Sequence, residues 1–304
     1  MKISKISIEE WDNLLDRERF TSPFYTSEWL RIISDYYNIK LQLIYIEQGP
    51  EGWIAPVFEH LPWSHQDTLL LHSIGYGSPL PTHNAKYSIS HNITKVMAEV
   101  GKNYKYNKIS AVLFPRDNWD IGAGNDSTVC VGLTGDKDKT FSEVLTGNAR
   151  TAIRKSKKYG VNIYELPING RKDALRSVIN LLHSTQKYVG SNYLTDLKFI
   201  ENISKLDSNN FSSRLFIGEV NSTQVAMAVT IASNKEVFHL FHGWDRTYAD
   251  YAVNQSLIWS MIEYAEDRKS KIFNMGSSHT KSLLEAKLRY GGKVLYTPKV
   301  LIDC

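Results

Sequence analysis

The feature that most constrains the fold of this 304-residue chain is that one order of predicted elements occurs twice. In the second half a strand is followed by two helices, three strands, a helix, a strand, a helix and a last strand. The first half repeats the first eight of these elements with little residue identity to the second. The repeat predicts two domains of about 150 residues each, a usual domain size. We place them at residues 1–138 and 139–304, because the polar run 135–138 breaks the apolar periodicity.

The bounds of the elements follow from apolar periodicity and from turn residues. In the first half we predict strands at 1–8, 40–47, 53–60, 68–74 and 108–114, and helices at 9–17, 26–37 and 88–104. In the second half we predict strands at 161–166, 213–220, 224–232, 236–244 and 271–275, helices at 172–187, from 195, at 251–268 and at 282–290, and a final strand or hairpin arm at 293–302. This succession is typical of a mixed α/β fold in which helices cover sheets.

Composition excludes several classes of protein. The net charge of +4, from 36 basic and 32 acidic residues, is too small for a dedicated nucleic-acid binder. Cys130 and Cys304 are the two cysteines, so neither a disulfide framework nor a cysteine-rich metal site is expected. No run approaches the roughly 20 apolar residues that span a bilayer, and the first ten residues lack an apolar signal core. We therefore expect a cytoplasmic protein without a bound metal.

Several segments resemble the FemAB-like branch of the GNAT acyltransferase superfamily. They are Ser22–Thr26 with Trp29-Leu30, Asn148–Val161, Asn254–Ala265, and Phe273–Gly276 followed by Leu284, Lys287, Tyr290 and Gly291. The resemblance implies a tandem duplication of two GNAT-like domains with mixed sheets, of the α+β type. It also implies acyl transfer as the activity.

The chain departs from the family pattern at positions that bear on the acyl donor. Asn274 stands where the family often has Asp, Met275 where it has an aromatic residue, and Ala286 where it has Phe. The segment 251–255 replaces the glycine-rich loop that would aim backbone amides at a coenzyme A pyrophosphate. No tightly bound cofactor is expected, and the donor is either an acyl-CoA or an aminoacyl-tRNA, with tRNA then a partner.

Two basic groups are candidates for binding an anionic substrate. Arg150 and Arg154 lie one turn apart on the helical stretch that opens the second domain, where guanidinium groups could clamp a phosphate. A solvated cationic face is the alternative. Lys287 occupies the position of a lysine that contacts substrate in FemAB-like proteins, and it could hold a phosphate or a tetrahedral oxyanion. An exposed helix lysine is the alternative.

Other candidates lie near the ends of predicted strands, where ligands are often bound. His242, close to the end of strand 236–244, could be a base or a hydrogen-bond donor, or a structural histidine. Strict alternation along that strand would point His239 the opposite way, so that only one of the two reaches a cleft. Substrate-binding candidates are Asn254, Ser277 and His279 in the second domain and Tyr76 in a Gly/Pro-rich loop of the first.

The leading hypothesis is an aminoacyl or acyl transferase that forms an amide on an amine of a cell-envelope precursor or polysaccharide. Its partners would be an anionic small molecule or glycan precursor, with peripheral membrane contact compatible with the charge. One alternative is an acyl-CoA-dependent N-acetyltransferase of a small metabolite or sugar. Another is a GNAT-fold protein that binds ligand without catalysis. The sequence does not specify an oligomeric state.

Overall fold

A computed structural model describes residues 1–17, 22–49, 51–61, 65–72, 74–82, 89–115, 127–191, 194–205, 207–208, 210–278 and 280–304. Its contacts divide the chain into two units, Met1–Thr128 with Val294–Cys304, and Val129–Lys293. This division differs from the predicted domains 1–138 and 139–304 in two ways, because the second unit begins at Val129 and residues 294–304 belong to the first unit.

Fourteen strands and nine α-helices are assigned within the described ranges. The strands are β1 (Lys2–Lys5), β2 (Lys40–Gln48), β3 (Glu51–Glu59), β4 (Thr68–Leu70), β5 (Leu80–Pro81), β6 (Lys108–Val112), β7 (Ser127–Gly132), β8 (Asn162–Pro167), β9 (Ser212–Val220), β10 (Thr223–Ala232), β11 (Glu236–Trp244), β12 (Ile272–Ser277), β13 (Lys293–Tyr296) and β14 (Lys299–Asp303). The helices are α1 (Ile8–Arg17), α2 (Ser27–Tyr37), α3 (Ile89–Asn103), α4 (Lys137–Lys139), α5 (Gly147–Lys158), α6 (Lys172–Tyr188), α7 (Leu197–Ile203), α8 (Val253–Asp267) and α9 (Lys281–Leu288).

The sheet of the first unit has the strand order β1-β2-β3-β4-β6-β14, with β5 paired to β3. β14 runs antiparallel to β6, from Lys299 opposite Val112 to Asp303 opposite Lys108. An unpaired strand edge exposes amides and carbonyls that invite association. The C-terminal strand covers that edge of β6, which explains why β14 belongs to the first unit.

The sheet of the second unit contains strands in the order β7-β12-β11-β10-β9-β8 and is covered on both faces. Alternation along β10 shows this directly. Ala226 and Ala228 join the apolar cluster under α8 and α5, while Met227 and Val229 join the cluster under α6. A sheet buried on both faces explains why apolar residues fill β10 almost without interruption. The mixed α/β architecture predicted from the sequence is confirmed.

Capping side chains fix the starts of the helices near the centre of this unit. The Thr146 hydroxyl accepts a hydrogen bond from the Ala149 amide at the start of α5. Thr280 does the same for the Leu283 amide at the start of α9. Each cap satisfies an amide that has no partner within the helix itself. In the part of the chain that the structure describes, no helix is long and apolar enough to cross a membrane.

β11 contains one extra residue, Leu240, that interrupts its alternation. His239 lies opposite Thr230 of β10, yet Phe241 lies opposite the neighbouring Val229, so that Leu240 has no partner in the register. A bulge of this kind shifts all later side chains to the other face. His239 and His242 therefore share the α8 face, and the prediction that they point to opposite sides is wrong.

β11 and β12 separate soon after they meet. Their parallel pairing runs from Glu236 opposite Ile272 to Phe238 opposite Asn274. Beyond that point β11 continues to Trp244 along β10, and β12 continues separately to Ser277. The histidines of β11 lie just beyond the last paired residue, Phe238, and this end of the β11–β12 pairing is the candidate site.

Candidate active site

Lys287 on α9 is tied to the end of β12. Its ammonium nitrogen lies 2.7 Å from the Gly276 carbonyl oxygen and 2.6 Å from the Ser277 carbonyl oxygen. Gly276 has a φ of 71°, a left-handed conformation that glycine adopts without strain and that turns these two carbonyls. The predicted candidate Ser277 thus contributes its backbone oxygen to this contact.

The surroundings of Lys287 lower the pKa of its ammonium group. Burial lowers the pKa of Lys287 to about 7, and nearby Cys130 opposes that shift slightly. The two carbonyl acceptors also favour the protonated form, because an ammonium group donates to them. Lys287 therefore exchanges between ammonium and amine near neutral pH.

We expect this lysine to make the stability of the protein depend on pH. Its pKa is lower in the folded chain than the ordinary 10.5, so the unfolded chain binds more protons between about pH 7 and 10.5. The free energy of unfolding should then rise with pH across that window, by at most about 1.4 kcal/mol per pH unit. Urea titrations of the wild type and of Lys287→Met at several pH values test this. An unchanged pH slope in the variant would contradict it.

His239 and His242 form a pair beside this lysine. His242 Nδ1 lies 3.2 Å from His239 Nε2, and the two rings meet edge to face with centroids 5.1 Å apart. Burial, foremost, and Lys287 lower the pKa of His242 to about 4, although Asn254 opposes the shift. Burial, His242 and Lys287 also lower the pKa of His239. Both imidazoles are therefore neutral at pH 7.

One buried polar atom close to these groups has no hydrogen-bond partner among the described residues. It is Ser278 Oγ, directly after β12. Asn254, on the first turn of α8, lies near enough to His242 for its side chain to raise the pKa of that imidazole by a hydrogen bond. Because buried polar atoms in proteins are nearly always paired, Ser278 Oγ is available for a polar group of a bound substrate.

A second cluster of hydrogen-bonded polar residues lies next to the site. Asn274 Nδ2 donates to Glu236 Oε1 over 2.7 Å, and Asn274 Oδ1 accepts from the Gly276 amide over 3.0 Å. The buried Cys130 lies near Glu236, and burial raises the pKa of its thiol. An Asp at 274 would place a second carboxylate against Glu236, where like charges repel. The departure from the family pattern at Asn274 thus matches the presence of Glu236.

Arg150 and Arg154 contact the segment that leads into α5. Arg150 Nη1 donates to the carbonyl oxygens of Ser142 and Leu145, over 2.7 and 2.5 Å. The Arg154 guanidinium lies over the ring of Phe141, 5.3 Å from its centroid. The described contacts therefore join both arginines to residues 141–145. A phosphate clamp formed by them stays a prediction.

Replacing Arg150 should cost stability more than replacing Arg154. Hydrogen bonds from a charged donor contribute about 1.5–3 kcal/mol, whereas an exposed cation–π contact contributes about 0.5–1 kcal/mol. Urea unfolding of Arg150→Ala should accordingly show a loss of about 1–3 kcal/mol in unfolding free energy. Arg154→Ala is the matched control, and an equal loss in both variants would contradict the structural role of Arg150.

The remaining candidates lie elsewhere. Tyr76 belongs to the first unit, where its buried ring packs edge-on against Phe24 with centroids 5.4 Å apart. His279 lies outside the described residues. Within the described ranges, no three His, Cys, Asp or Glu side chains come together as metal ligands would. The structure brings together Lys287, His242 and Asn254. It adds His239, which strict alternation along the strand had placed on the opposite face.

This arrangement can stabilise a negative charge and accept a proton. Lys287 supplies an ammonium group in a partly buried setting, where its interaction with an oxyanion is stronger than in water. A neutral imidazole supplies a proton acceptor. Acyl transfer to an amine needs both functions.

Comparison with known proteins identifies the fold. Residues 146–281 match the family model of the acetyltransferase (GNAT) domain, which covers α5 to the start of α9. No curated protein sequence matches the chain significantly.

Solved structures match over nearly the whole chain. The crystal structure of FemX has a TM-score of 0.70 and 12% identity, covering 100% of this chain and 98% of FemX. A tandem GNAT protein from the clavulanic acid biosynthesis pathway has a TM-score of 0.56 and 7% identity, covering 99% and 98%. L-PGS from Bacillus licheniformis has a TM-score of 0.53 and 10% identity, covering 94% of each chain. The chain thus has a duplicated GNAT fold, and its resemblance to FemAB-like proteins is confirmed at the level of the fold.

Proposed function

We propose that this protein transfers an acyl or aminoacyl group to an amine of a cell-envelope precursor or polysaccharide and so forms an amide. The observation that carries the proposal is the placement of Lys287 beside the neutral His239–His242 pair, where β11 and β12 separate. The match of residues 146–281 to an acetyltransferase family model supports the acyl-transfer chemistry. The likeness to FemX supports the fold, and the resemblance to FemAB-like proteins suggests an acceptor from the cell envelope.

The proposed reaction assigns one step to each group. The acceptor amine attacks the carbonyl carbon of an ester or thioester donor, a C–N bond forms, and the carbonyl oxygen becomes an oxyanion facing the Lys287 ammonium. The attacking nitrogen gains positive charge and becomes acidic, so that even a weak base such as His242 can accept its proton. When the oxyanion collapses, the C–O or C–S bond breaks and His242 returns the proton to the leaving group.

Two donor classes fit the start of α8. Ala252 precedes the helix with a φ of 54°, and no glycine-rich loop is present in residues 251–255. The lack of such a loop in residues 251–255 favours an aminoacyl-tRNA over a coenzyme A ester as the donor.

The acetyltransferase family model favours a second candidate function, an acyl-CoA-dependent N-acetyltransferase of a small metabolite or sugar. A protein that acts on nucleotide-linked precursors would find them in the cytoplasm, so we propose that this protein is cytoplasmic.

A ligand screen separates these functions. Purified protein is tested by thermal shift against acetyl-CoA, longer acyl-CoA esters and UDP-linked muropeptides, because a ligand of the native state raises apparent stability. Stabilisation by the UDP-linked precursor, followed by amide product when charged tRNA is added, is the expected result. Stabilisation by a coenzyme A ester with acyl product would instead support the second function. Binding without product by mass spectrometry, in every donor and acceptor combination, would indicate a non-catalytic protein.

A further inference from the structure

The second unit exposes large apolar side chains where α5 and α6 end. Tyr159, directly after α5, is 52% exposed. Tyr188 and Val189, at the end of α6, are 71% and 67% exposed. A single exposed apolar side chain is ordinary, but several that lie together mark an interaction site.

A short 3₁₀ helix, Arg246–Tyr251, links these two helix ends. The Tyr251 ring lies 5.5 Å from the Tyr159 ring and 5.7 Å from the Tyr248 ring, measured between centroids. At the other end of this helix, the Arg246 guanidinium lies 3.5 Å from the centroid of the Tyr188 ring. The contacts therefore form one continuous region, which we call the aromatic–basic surface and define as Tyr159, Tyr188, Val189, Arg246, Tyr248 and Tyr251.

The segments that form this surface carry a positive charge. Residues 155–159, 187–189 and 245–251 contain five lysines and arginines but two aspartates. The ammonium nitrogen of Lys155 lies 5.5 Å from the centroid of the Tyr159 ring. Of the two aspartates, Asp245 accepts hydrogen bonds from the amide and the hydroxyl of Thr247, 2.9 and 2.7 Å away. An occupant of this surface must therefore be anionic and must offer apolar contact.

Two kinds of partner have both properties, an anionic lipid surface and a single-stranded nucleic acid. Bases of a nucleic acid stack on free faces of aromatic rings. Here cations lie over the rings of Tyr159 and Tyr188, and the planes of Tyr159 and Tyr251 meet at 60°. Val189 offers no ring at all. Lipid headgroups suit this arrangement better, because tyrosines lie at their level and basic side chains contact their phosphates.

We propose that the aromatic–basic surface binds a membrane that contains anionic lipids. Tyr188 and Val189 enter the headgroup region, and the basic residues beside them contact lipid phosphates. The surface adjoins the candidate site, because Trp244, which Arg246 covers at 5.6 Å, follows His242 by two residues. Binding at this surface brings the candidate site close to the membrane. It does not depend on the proposed transfer reaction.

Co-sedimentation of the full chain with vesicles tests the proposal. Vesicles of phosphatidylcholine mixed with phosphatidylglycerol are compared with vesicles of phosphatidylcholine alone, without donor or acceptor. We expect binding to the anionic vesicles to be about tenfold tighter or more, and to weaken as salt is added, because salt screens exposed charges. A wild type that stays in solution with both kinds of vesicle would overturn the proposal.

Two double variants separate the apolar from the electrostatic contribution. Tyr188→Ser with Val189→Ser removes apolar contact and should weaken binding to the anionic vesicles about tenfold or more. Lys158→Glu with Lys187→Glu reverses two exposed charges and should weaken binding by a similar factor while reducing its dependence on salt. If both double variants bind as the wild type does, the proposal fails. If one of them does not fold, the other still decides.

The matched control lies on β14 in the first unit. Lys299 is exposed and Leu301 is 61% exposed, so Lys299→Glu with Leu301→Ser changes a charge and an apolar side chain away from the aromatic–basic surface. This variant should bind the anionic vesicles as the wild type does. A loss equal to that of the two test variants would contradict the assignment of the surface.

The other occupants are tested with the same variants. Fluorescence anisotropy with a single-stranded RNA oligonucleotide detects a nucleic acid, and sedimentation velocity detects a second copy of the chain. RNA binding or self-association that is lost in Tyr188→Ser with Val189→Ser, together with no binding to vesicles, would overturn the membrane proposal in favour of that occupant. Vesicle binding that is lost in the test variants and kept in the control supports the proposal.

Discussion

Replacing Lys287 with methionine should lower the rate of amide formation by about 10²–10³-fold, the usual loss when one oxyanion donor is removed. Methionine preserves most of the aliphatic stem, so the fold should be retained, and the contact with the Gly276 and Ser277 carbonyls is what disappears. Single-turnover measurement of product with a saturating donor tests the chemical step directly. Circular dichroism and urea unfolding confirm that the loss is not caused by unfolding.

Lys281 on the same helix provides the matched control. Its side chain is 90% exposed and lies 4.0 Å from Glu285, so Lys281→Met should leave turnover unchanged. Lys287→Arg keeps the charge permanently and should retain more activity than Lys287→Met. Wild-type turnover in Lys287→Met would remove Lys287 from the site.

Replacing His242 with alanine should lower kcat by about 10²–10⁴-fold, the range that general acid–base catalysis contributes.

The dependence of activity on pH gives a second test of the roles of His242 and Lys287. His242 must be unprotonated, so activity should fall below its pKa of about 4, and Lys287 must be protonated, so activity should fall above its pKa of about 7. In Lys287→Arg the alkaline limb should move to higher pH, because a guanidinium stays charged there.

His183 on α6 is the control for this substitution. Its Nε2 contacts the Thr195 carbonyl at 2.9 Å, a structural contact outside the candidate site. His183→Phe should change stability rather than kcat. If His242→Ala retained wild-type kcat with the alkaline limb intact, the proton acceptor would have to be sought elsewhere.

The sequence predicts most elements of the second unit because their signals are local. The strand predicted at 236–244 coincides with β11, and the helix predicted at 172–187 is one residue shorter than α6. The apolar run of β10 is continuous because that strand is buried on both faces, so its signal is also local. The position of Lys287 came from the resemblance of the tail to FemAB-like proteins.

The features that the sequence did not predict depend on partners far along the chain. The bulge at Leu240 arises from pairing with β10, and nothing in the residues of β11 marks where the extra residue falls. The assignment of β14 to the first unit depends on the edge of β6, whose paired residues lie 187 to 195 positions earlier in the chain. The contacts of Arg150 with Ser142 and Leu145 depend on how the chain turns before α5, which helical periodicity cannot indicate.

The extra residue in β11 also bears on how relatives of this chain should be compared with it. A regular strand presents neighbouring side chains of one face at every second position, so it would carry the same pair as His-x-His. Here the bulge requires the spacing His239-x-x-His242. Two proteins with superimposable imidazoles could therefore differ by one residue at this point, and an alignment without a gap would pair His242 with a side chain of the opposite face. Searches for the pair among homologues should accept both spacings and use the register with the neighbouring strand to decide between them.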